Sequence, residues 1–413
     1  MSEIPPGIDD SSGEPGGGWR LALLGVMALW IMVPVTLPVP VLRELVQERF
    51  DVSELATSFF MSINMVGALL AAPLAGAVAD RLGRRRALLI GALFADALCF
   101  FALGAPVPFA IFLGIRFLEG CAHIVALSML LALASHALPA PRRGRAMGLV
   151  GGGMMLGVAL GAPLGGFVGR ENPVAPLYLG AVLLLGAAVI AAVAVREFDA
   201  REERPGLSEI LHVLRAHPAI LVPLVFAFAD RFTVGFFTTT FSFYLTRIHA
   251  LSPGRVGLAI MAFMLPFALL SYPFGRLAER RSVVGLLCGG SVLYGIGTAG
   301  VGFVAPPALY GLMFAIGTTA AVMFVPSMLM TIRIAPDPIR TTALGAFNAA
   351  GSLGFIVGPV AGGAISQLVA QRSDWLTGYR AAFVTAGASE LLCVAVALPI
   401  LLASSRRGSR GAA

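Results

Sequence analysis

The chain holds 413 residues, of which 58% are hydrophobic and only 12% charged, with 29 basic against 22 acidic side chains and a formal charge of +7. That charged fraction is about half that of a soluble domain, too little to cover the surface of a water-soluble fold of this length. No lysine occurs, so every strongly basic side chain is an arginine.

The apolar residues come in stretches of about 20, the length that crosses ~30 Å of hydrocarbon as a helix. In chain order the pattern predicts spans near residues 20–42, 55–79, 87–104, 108–135, 146–169 and 177–195. After a polar interval it predicts six more, near 219–245, 256–277, 283–304, 308–334, 342–369 and 381–403. Residues 1–18 lack the basic lead and short apolar core of a signal peptide and are expected to form a disordered cytoplasmic tail. The expected organisation is that tail, a bundle over 19–195, a cytoplasmic linker over 196–217, a second bundle over 218–403, and a tail over 404–413. The fold class expected is an all-α membrane protein, with twelve transmembrane helices in two pseudo-symmetric six-helix bundles.

Arginine sets the orientation. With the first residues assigned to the cytoplasm, 20 arginines fall on that side, 7 on the other, and Arg116 and Arg231 lie within spans. The positive-inside rule then puts both termini in the cytoplasm of a plasma membrane, in a bacterium the inner membrane. The same bias accounts for the net charge, so the lipid bilayer is the expected surrounding and no nucleic-acid partner is expected. Cys99, Cys121, Cys288 and Cys393 all sit inside spans at spacings that suit neither a metal nor a disulfide, and no cofactor or metal is expected.

The halves repeat. Gly148, Gly157, Gly161 and Gly165-Gly166 recur 197 positions later as Gly345, Gly354, Gly358 and Gly362-Gly363 with the same gaps. The preceding loop aligns too, Pro141 with Pro338 and Arg143 with Arg340. An earlier anchor, Gly76-Ala-Val-Ala-Asp80-Arg81, parallels Gly275-Arg-Leu-Ala-Glu279-Arg280 at an offset of 199. Gly157, Gly161 and Gly165 share one face of the fifth span, with Pro163 weakening the backbone ladder nearby. Such a face serves plain helix packing, and it also suits a sliding seam between two bundles. The same expectation extends to Gly354, Gly358, Pro359 and Gly362.

These residues resemble the Major Facilitator Superfamily over essentially the whole chain beyond the first tail. The most specific match is Gly76-Ala-Val-Ala-Asp80-Arg81-Leu-Gly83-Arg84-Arg85-Arg86 between the second and third spans, similar to the family's loop signature. The resemblance implies that Gly76, Asp80, Arg81, Gly83, Arg84 and Arg85 form a gate locking the cytoplasmic ends of the halves. A purely topogenic basic loop is the alternative. The fifth-span glycines resemble the signature of proton-coupled drug antiporters in that superfamily. The first-half copy departs from it by one place at Pro163, while Gly358-Pro359 has the family order.

Charges inside hydrocarbon are costly and mark candidate sites. Arg116, Glu119 and His123 fall within about 60° of one another on the fourth span. Arg116-Phe-Leu-Glu119-Gly120 also resembles the family's fourth-span signature, with glutamate where glutamine is usual. Glu119 is a candidate for proton exchange, Arg116 for tuning it and His123 for relay; a structural Arg–Glu anchor is the alternative. Asp230 and Arg231 are adjacent on the seventh span, which the resemblance places beside the cavity. Asn64 and Asn348 are candidate cavity-lining residues. Asp96 and Glu390 sit on spans that the resemblance assigns to the outer ring, where packing and an unrecognised pathway both remain open. Pro34, Pro38 and Pro40 suggest a broken outer end of span one, a candidate outer gate. Leu207, Ile210, Leu211 and Leu214 make an amphipathic segment in the linker, suited to the membrane surface or to a plain connection.

The expected function is secondary active transport by alternating access, working as a monomer on a small-molecule substrate with protons as the coupling ion. Efflux of a small apolar or amphipathic compound by proton antiport leads. Uptake of a small organic acid and, more distantly, a non-transporting membrane sensor are the alternatives. No nucleophile–base pair or phosphate loop points to an enzyme.

Overall fold

A computed structural model describes residues 17–136, 143–195 and 207–410. The first half contains α1 (Gly17–Thr36), α2 (Glu54–Leu82), α3 (Arg85–Leu103), α4 (Phe109–His136), α5 (Arg143–Val168) and α6 (Ala175–Ala194). A short α7 (Leu207–Ala216) follows. The second half contains α8 (Leu221–Thr238), α9 (Thr240–Arg247), α10 (Pro253–Arg280), α11 (Val283–Gly300), α12 (Pro306–Ile334), α13 (Arg340–Ala370) and α14 (Trp375–Arg410). Among the described residues twelve segments are long and apolar enough to cross a membrane, α8 and α9 forming one of them over Pro218–Arg247.

The packing repeats with the sequence. In the first half α1 lies on α5 and α6, α2 on α4, and α3 on α4 and α6. In the second half α8 lies on α13 and α14, α10 on α12, and α11 on α12 and α14. The halves meet along α5–α10 and α2–α13, which are one seam and its repeat-related copy.

The glycines correct the expected seam. A side chain at Gly157, Gly161 or Gly165 would strike the backbone of Leu29, Val33 or Leu37, all on or just beyond α1 in the same half. Gly354 and Gly358 likewise meet the backbone of Phe228 and Phe232 on α8, and Gly362 meets Thr240 and the Phe236 ring. These faces therefore hold each bundle together. The contact between halves sits one residue on: Gly166 against Pro253, and Gly363 against Leu55 and Ser58. Pro163 does reach the seam, beside Gly257. Adjacent helical positions point about 100° apart, so a one-residue step changes which helix is touched.

Hydrogen bonds join the halves along the same line. Ser62 Oγ donates to the Ile356 carbonyl at 2.7 Å, Ser242 Oγ to the Val39 carbonyl at 2.9 Å, and Leu55 N–H to Gln367 Oε1 at 3.3 Å. Most of these contacts lie towards the end where α1 finishes and α2 begins, and the bundles are sealed there. At the opposite end, the space beside Gly148, Gly151 and Gly152 on α5 is open.

The broken end of span one takes definite form. The α-helix stops at Thr36, a 3-10 turn follows at Val39–Val41 and a π-helical turn at Arg43–Glu48. Val39, Pro40 and Val41 are buried, so this break is a packed part of the sealed end.

Two expected boundaries shift. Helix α1 already begins at Gly17, and α14 runs on to Arg410, so each helix enters an expected tail. Residues 1–16, 196–206 and 411–413 lie outside the described residues. Within the linker α7 is amphipathic as expected, but its face is taken: Val213, with Ile210 and Leu214, packs against Leu224, Ala343 and Phe347 of the second half.

Candidate functional site

Helix α4 carries Arg116, Glu119 and His123 on one stripe, and the stripe turns into the first bundle rather than out to lipid. Arg116 is 1% exposed, Glu119 2% and His123 9%. The Arg116 guanidinium lies 2.9 Å from Glu119 Oε2, and the Asn64 amide of α2 donates to the same oxygen. Arg116 Nε donates to the Phe60 carbonyl at 3.4 Å, and the guanidinium sits 4.4 Å from the Phe60 ring centroid. One turn further on, His123 Nδ1 meets Asp96 Oδ2 of α3 at 2.9 Å.

Asp96 is fully buried and joins the cluster, a placement that its outer-ring span did not reveal. Asp96 Oδ1 and His123 Nε2 are buried and have no hydrogen-bond partner among the described residues. Asp96, Glu119 and His123 each offer a ligand atom within 4.8 Å of the others, which is also a plausible donor set for a cation. Arg116 already supplies one positive charge beside it.

Close approach makes the cluster. A side chain at Gly120 would collide with the Asn64 backbone, and one at Gly67 with the Phe117 carbonyl. These two glycines bring α2 and α4 together where Asn64 reaches Glu119.

The second half has its own buried acids. Asp230 on α8 is 8% exposed, and Thr233 Oγ1 donates to its carbonyl at 2.6 Å. Thr233 in turn hydrogen-bonds the buried Tyr294 hydroxyl of α11 at 2.9 Å. Arg231 stands 3.8 Å from Asp230 Oδ2, a loose pair, and reaches towards the rings of Phe324 and Phe347 at 5.1 and 5.4 Å. Glu390 of α14 is fully buried, its Cβ side against Gly295 of α11. Asn348, by contrast, is exposed.

In the loop motif Gly83 has φ +60° and caps α2, its N–H reaching the Ala79 carbonyl. Only glycine adopts that left-handed turn without strain. The repeat-related position is Ser282, which caps the start of α11 by accepting from Gly285 N–H at 3.1 Å. A different turn there explains why the second copy lacks the glycine. Gly76 and Arg85 are buried, Arg81 and Arg84 exposed, and the Asp80 side chain lies outside what the structure describes.

Sequence reasoning missed Glu54, Arg247 and Tyr379, which meet at the sealed end. Glu54 Oε1 lies 3.0 Å from Arg247 and accepts from the Tyr379 hydroxyl at 2.6 Å.

Among solved structures the fold matches a bacterial homologue of the human lysosomal transporter Spinster in an inward-facing, unoccupied conformation, with TM-score 0.78 and 16% identity over 94% of this chain and 97% of that one. It also matches the nucleoside transporter NupG, with TM-score 0.75 and 12% identity over 93% and 99%. By sequence the chain is 25% identical to multidrug resistance protein 2 of Bacillus subtilis (strain 168), over 59% of this chain and 64% of that protein. It is 27% identical to the chromaffin granule amine transporter of Rattus norvegicus, over 73% and 58%. The chain thus spans about three fifths of the length of these curated relatives. The sequence profile of the Major Facilitator Superfamily matches residues 21–246 and again 224–412, once for each half, and the chain belongs to that superfamily.

Proposed function

We propose that the protein is a secondary active transporter that expels a small apolar or amphipathic compound in exchange for protons, by alternating access of a cavity between its halves. The charge count of the α4 cluster carries this reading. Asp96 and Glu119 bring two carboxylates into a buried site that holds one guanidinium, Arg116. An uncompensated charge in that setting costs several kcal/mol, of order 5. One further proton, shared among Asp96, Glu119 and His123, balances the site, and its loss unbalances it. A group that must gain and lose one proton as its surroundings change is what coupling requires. Asp230 is the matching candidate in the second half.

The arginine bias assigns the end bearing the chain termini to the cytoplasm. The sealed end then faces outward and the open end inward, ready to receive a compound from the cell. The names of the Bacillus relative, a multidrug resistance protein, and of the amine transporter support a small organic compound as the substrate.

The test is drug uptake into inside-out vesicles, the direction that corresponds to export from the cell, under an imposed proton gradient, with Glu119→Gln and Asp230→Asn. Loss of gradient dependence in either variant supports the assignment, and unchanged dependence in both removes it. Adding divalent cations or sodium in place of the gradient separates a metal-ion coupling from a proton. A second reading, uptake of a small organic acid, rests on Arg231, whose loose pairing leaves guanidinium donors for an anion. Inward accumulation of such an acid in cells would select it.

A further inference from the structure

Among the described residues one charged contact joins the halves at the sealed end. Glu54, the first residue of α2, is 1% exposed although it stands at a helix end where an acid would ordinarily reach water. Both partners of its carboxylate come from the other half: Arg247 at the end of α9 at 3.0 Å, and the Tyr379 hydroxyl of α14 at 2.6 Å. Among the described residues this is the one ion pair that crosses between the halves. Arg247 is fixed in turn, its guanidinium 3.8 Å from the Trp375 ring centroid. Tyr379 is fixed edge-on by Tyr244 at 5.8 Å.

Two other titratable groups stand nearby. Arg43 pairs with Glu48 at 3.0 Å. His249, edge-on to Tyr244 at 4.9 Å, is pushed below the ordinary imidazole range by burial and is therefore neutral at pH 7. Beneath the latch the seam is made of small contacts: Ser58 and Leu55 against Gly363, and Ser62 bonded to a carbonyl. Those are easily parted. The repeat-related seam has Pro253 in the position of Glu54, set against Gly166.

We propose that Glu54 is the latch of the sealed end, held by Arg247 and Tyr379, and that releasing it opens the α2–α13 seam to the outer side. This rests on the two-bundle architecture and on the orientation that the arginine bias assigns, and stands whether or not protons drive transport.

The test places a reporter under the latch. Ser58→Cys, in the otherwise native full-length protein, is exposed in right-side-out vesicles to a membrane-impermeant sulfonated maleimide, and labelling at position 58 is read by peptide mass spectrometry. Adding Glu54→Gln is expected to speed labelling by about tenfold or more, since the closed population is no longer held by an ion pair. Tyr379→Phe gives a smaller, few-fold rise. The charge-reversed pair, Glu54→Arg with Arg247→Glu, returns labelling towards the slow rate, which a merely structural role for Glu54 would not produce. Equal labelling with and without Glu54→Gln overturns the proposal, as does fast labelling of the reversed pair. Where Glu54→Gln fails to insert, Tyr379→Phe decides: an unchanged rate overturns the latch.

Discussion

Asn64 and Glu119 meet across the contact of α2 with α4, the amide donating to the carboxylate oxygen that Arg116 also holds. The pair ties the candidate coupling acid to a helix that lines the seam with the other half. Asn64→Ala removes one of two partners while leaving the guanidinium in place, and the expected cost is about 1–3 kcal/mol of bundle stability. Thermal unfolding of the purified protein in detergent reads that cost. Asn64→Asp adds a third carboxylate against one guanidinium and is expected to weaken folding more than the alanine does.

The approach that makes this bond possible depends on Gly120. A methyl there would collide with the Asn64 backbone, whereas the same change at Gly114 on the same helix meets open space. Gly120→Ala is expected to lower the yield of folded protein and to cost about 1–3 kcal/mol or more, as overpacked sites do. Gly114→Ala should be neutral. The two variants have the same helix-propensity gain, so size-exclusion yield and melting temperature isolate the contact.

Asp96 tests the charge count. Asp96→Asn leaves one carboxylate facing one guanidinium, so the cluster is balanced without an extra proton. The expected result is substrate binding that persists while the dependence of efflux on the proton gradient falls sharply. His123→Gln keeps both carboxylates and removes only the imidazole, so gradient dependence should be weakened and its pH profile displaced. If Asp96→Asn keeps a wild-type gradient dependence, the proton does not reside in this cluster.

How these groups differ in legibility follows from where their partners lie. Arg116, Glu119 and His123 were readable because three and four residues along one helix share a face. Asp96 was not, because its partner His123 lies on a neighbouring helix and no spacing along the chain records that. Glu54, Arg247 and Tyr379 were hidden for another reason: at the ends of spans charged and aromatic residues are ordinary, and only the closure of two halves shows that Glu54 is buried. The repeat was plain in the glycines, and the paired packing of α1–α5 with α8–α13 follows it. Their partner was misjudged, since an apolar helix has neighbours on every side and composition does not say which of them a given face meets.

That misjudged face yields the sharpest contrast between neighbouring residues. Gly165 presses on the Leu37 backbone within its own half, and Gly166 on the Pro253 backbone of the other. Gly165→Ala should destabilise the first bundle itself, by about 1–3 kcal/mol or more, and appear as a lower melting temperature. Gly166→Ala should leave each bundle sound but hold the halves apart at the sealed end. Its readout is faster outer-face labelling of the Ser58→Cys reporter, with little change in melting. The second half supplies the replicate, with Gly362 against Thr240 and Phe236 of its own bundle and Gly363 against Ser58 and Leu55 of the other. Because position 58 itself touches Gly363, that pair is best read with a reporter at Ser242→Cys, whose hydroxyl bonds the Val39 carbonyl across the same sealed end. If Gly165→Ala and Gly166→Ala change melting and labelling in the same proportion, the seam and the bundle interior are not separable, and the rigid-body picture of the two halves fails.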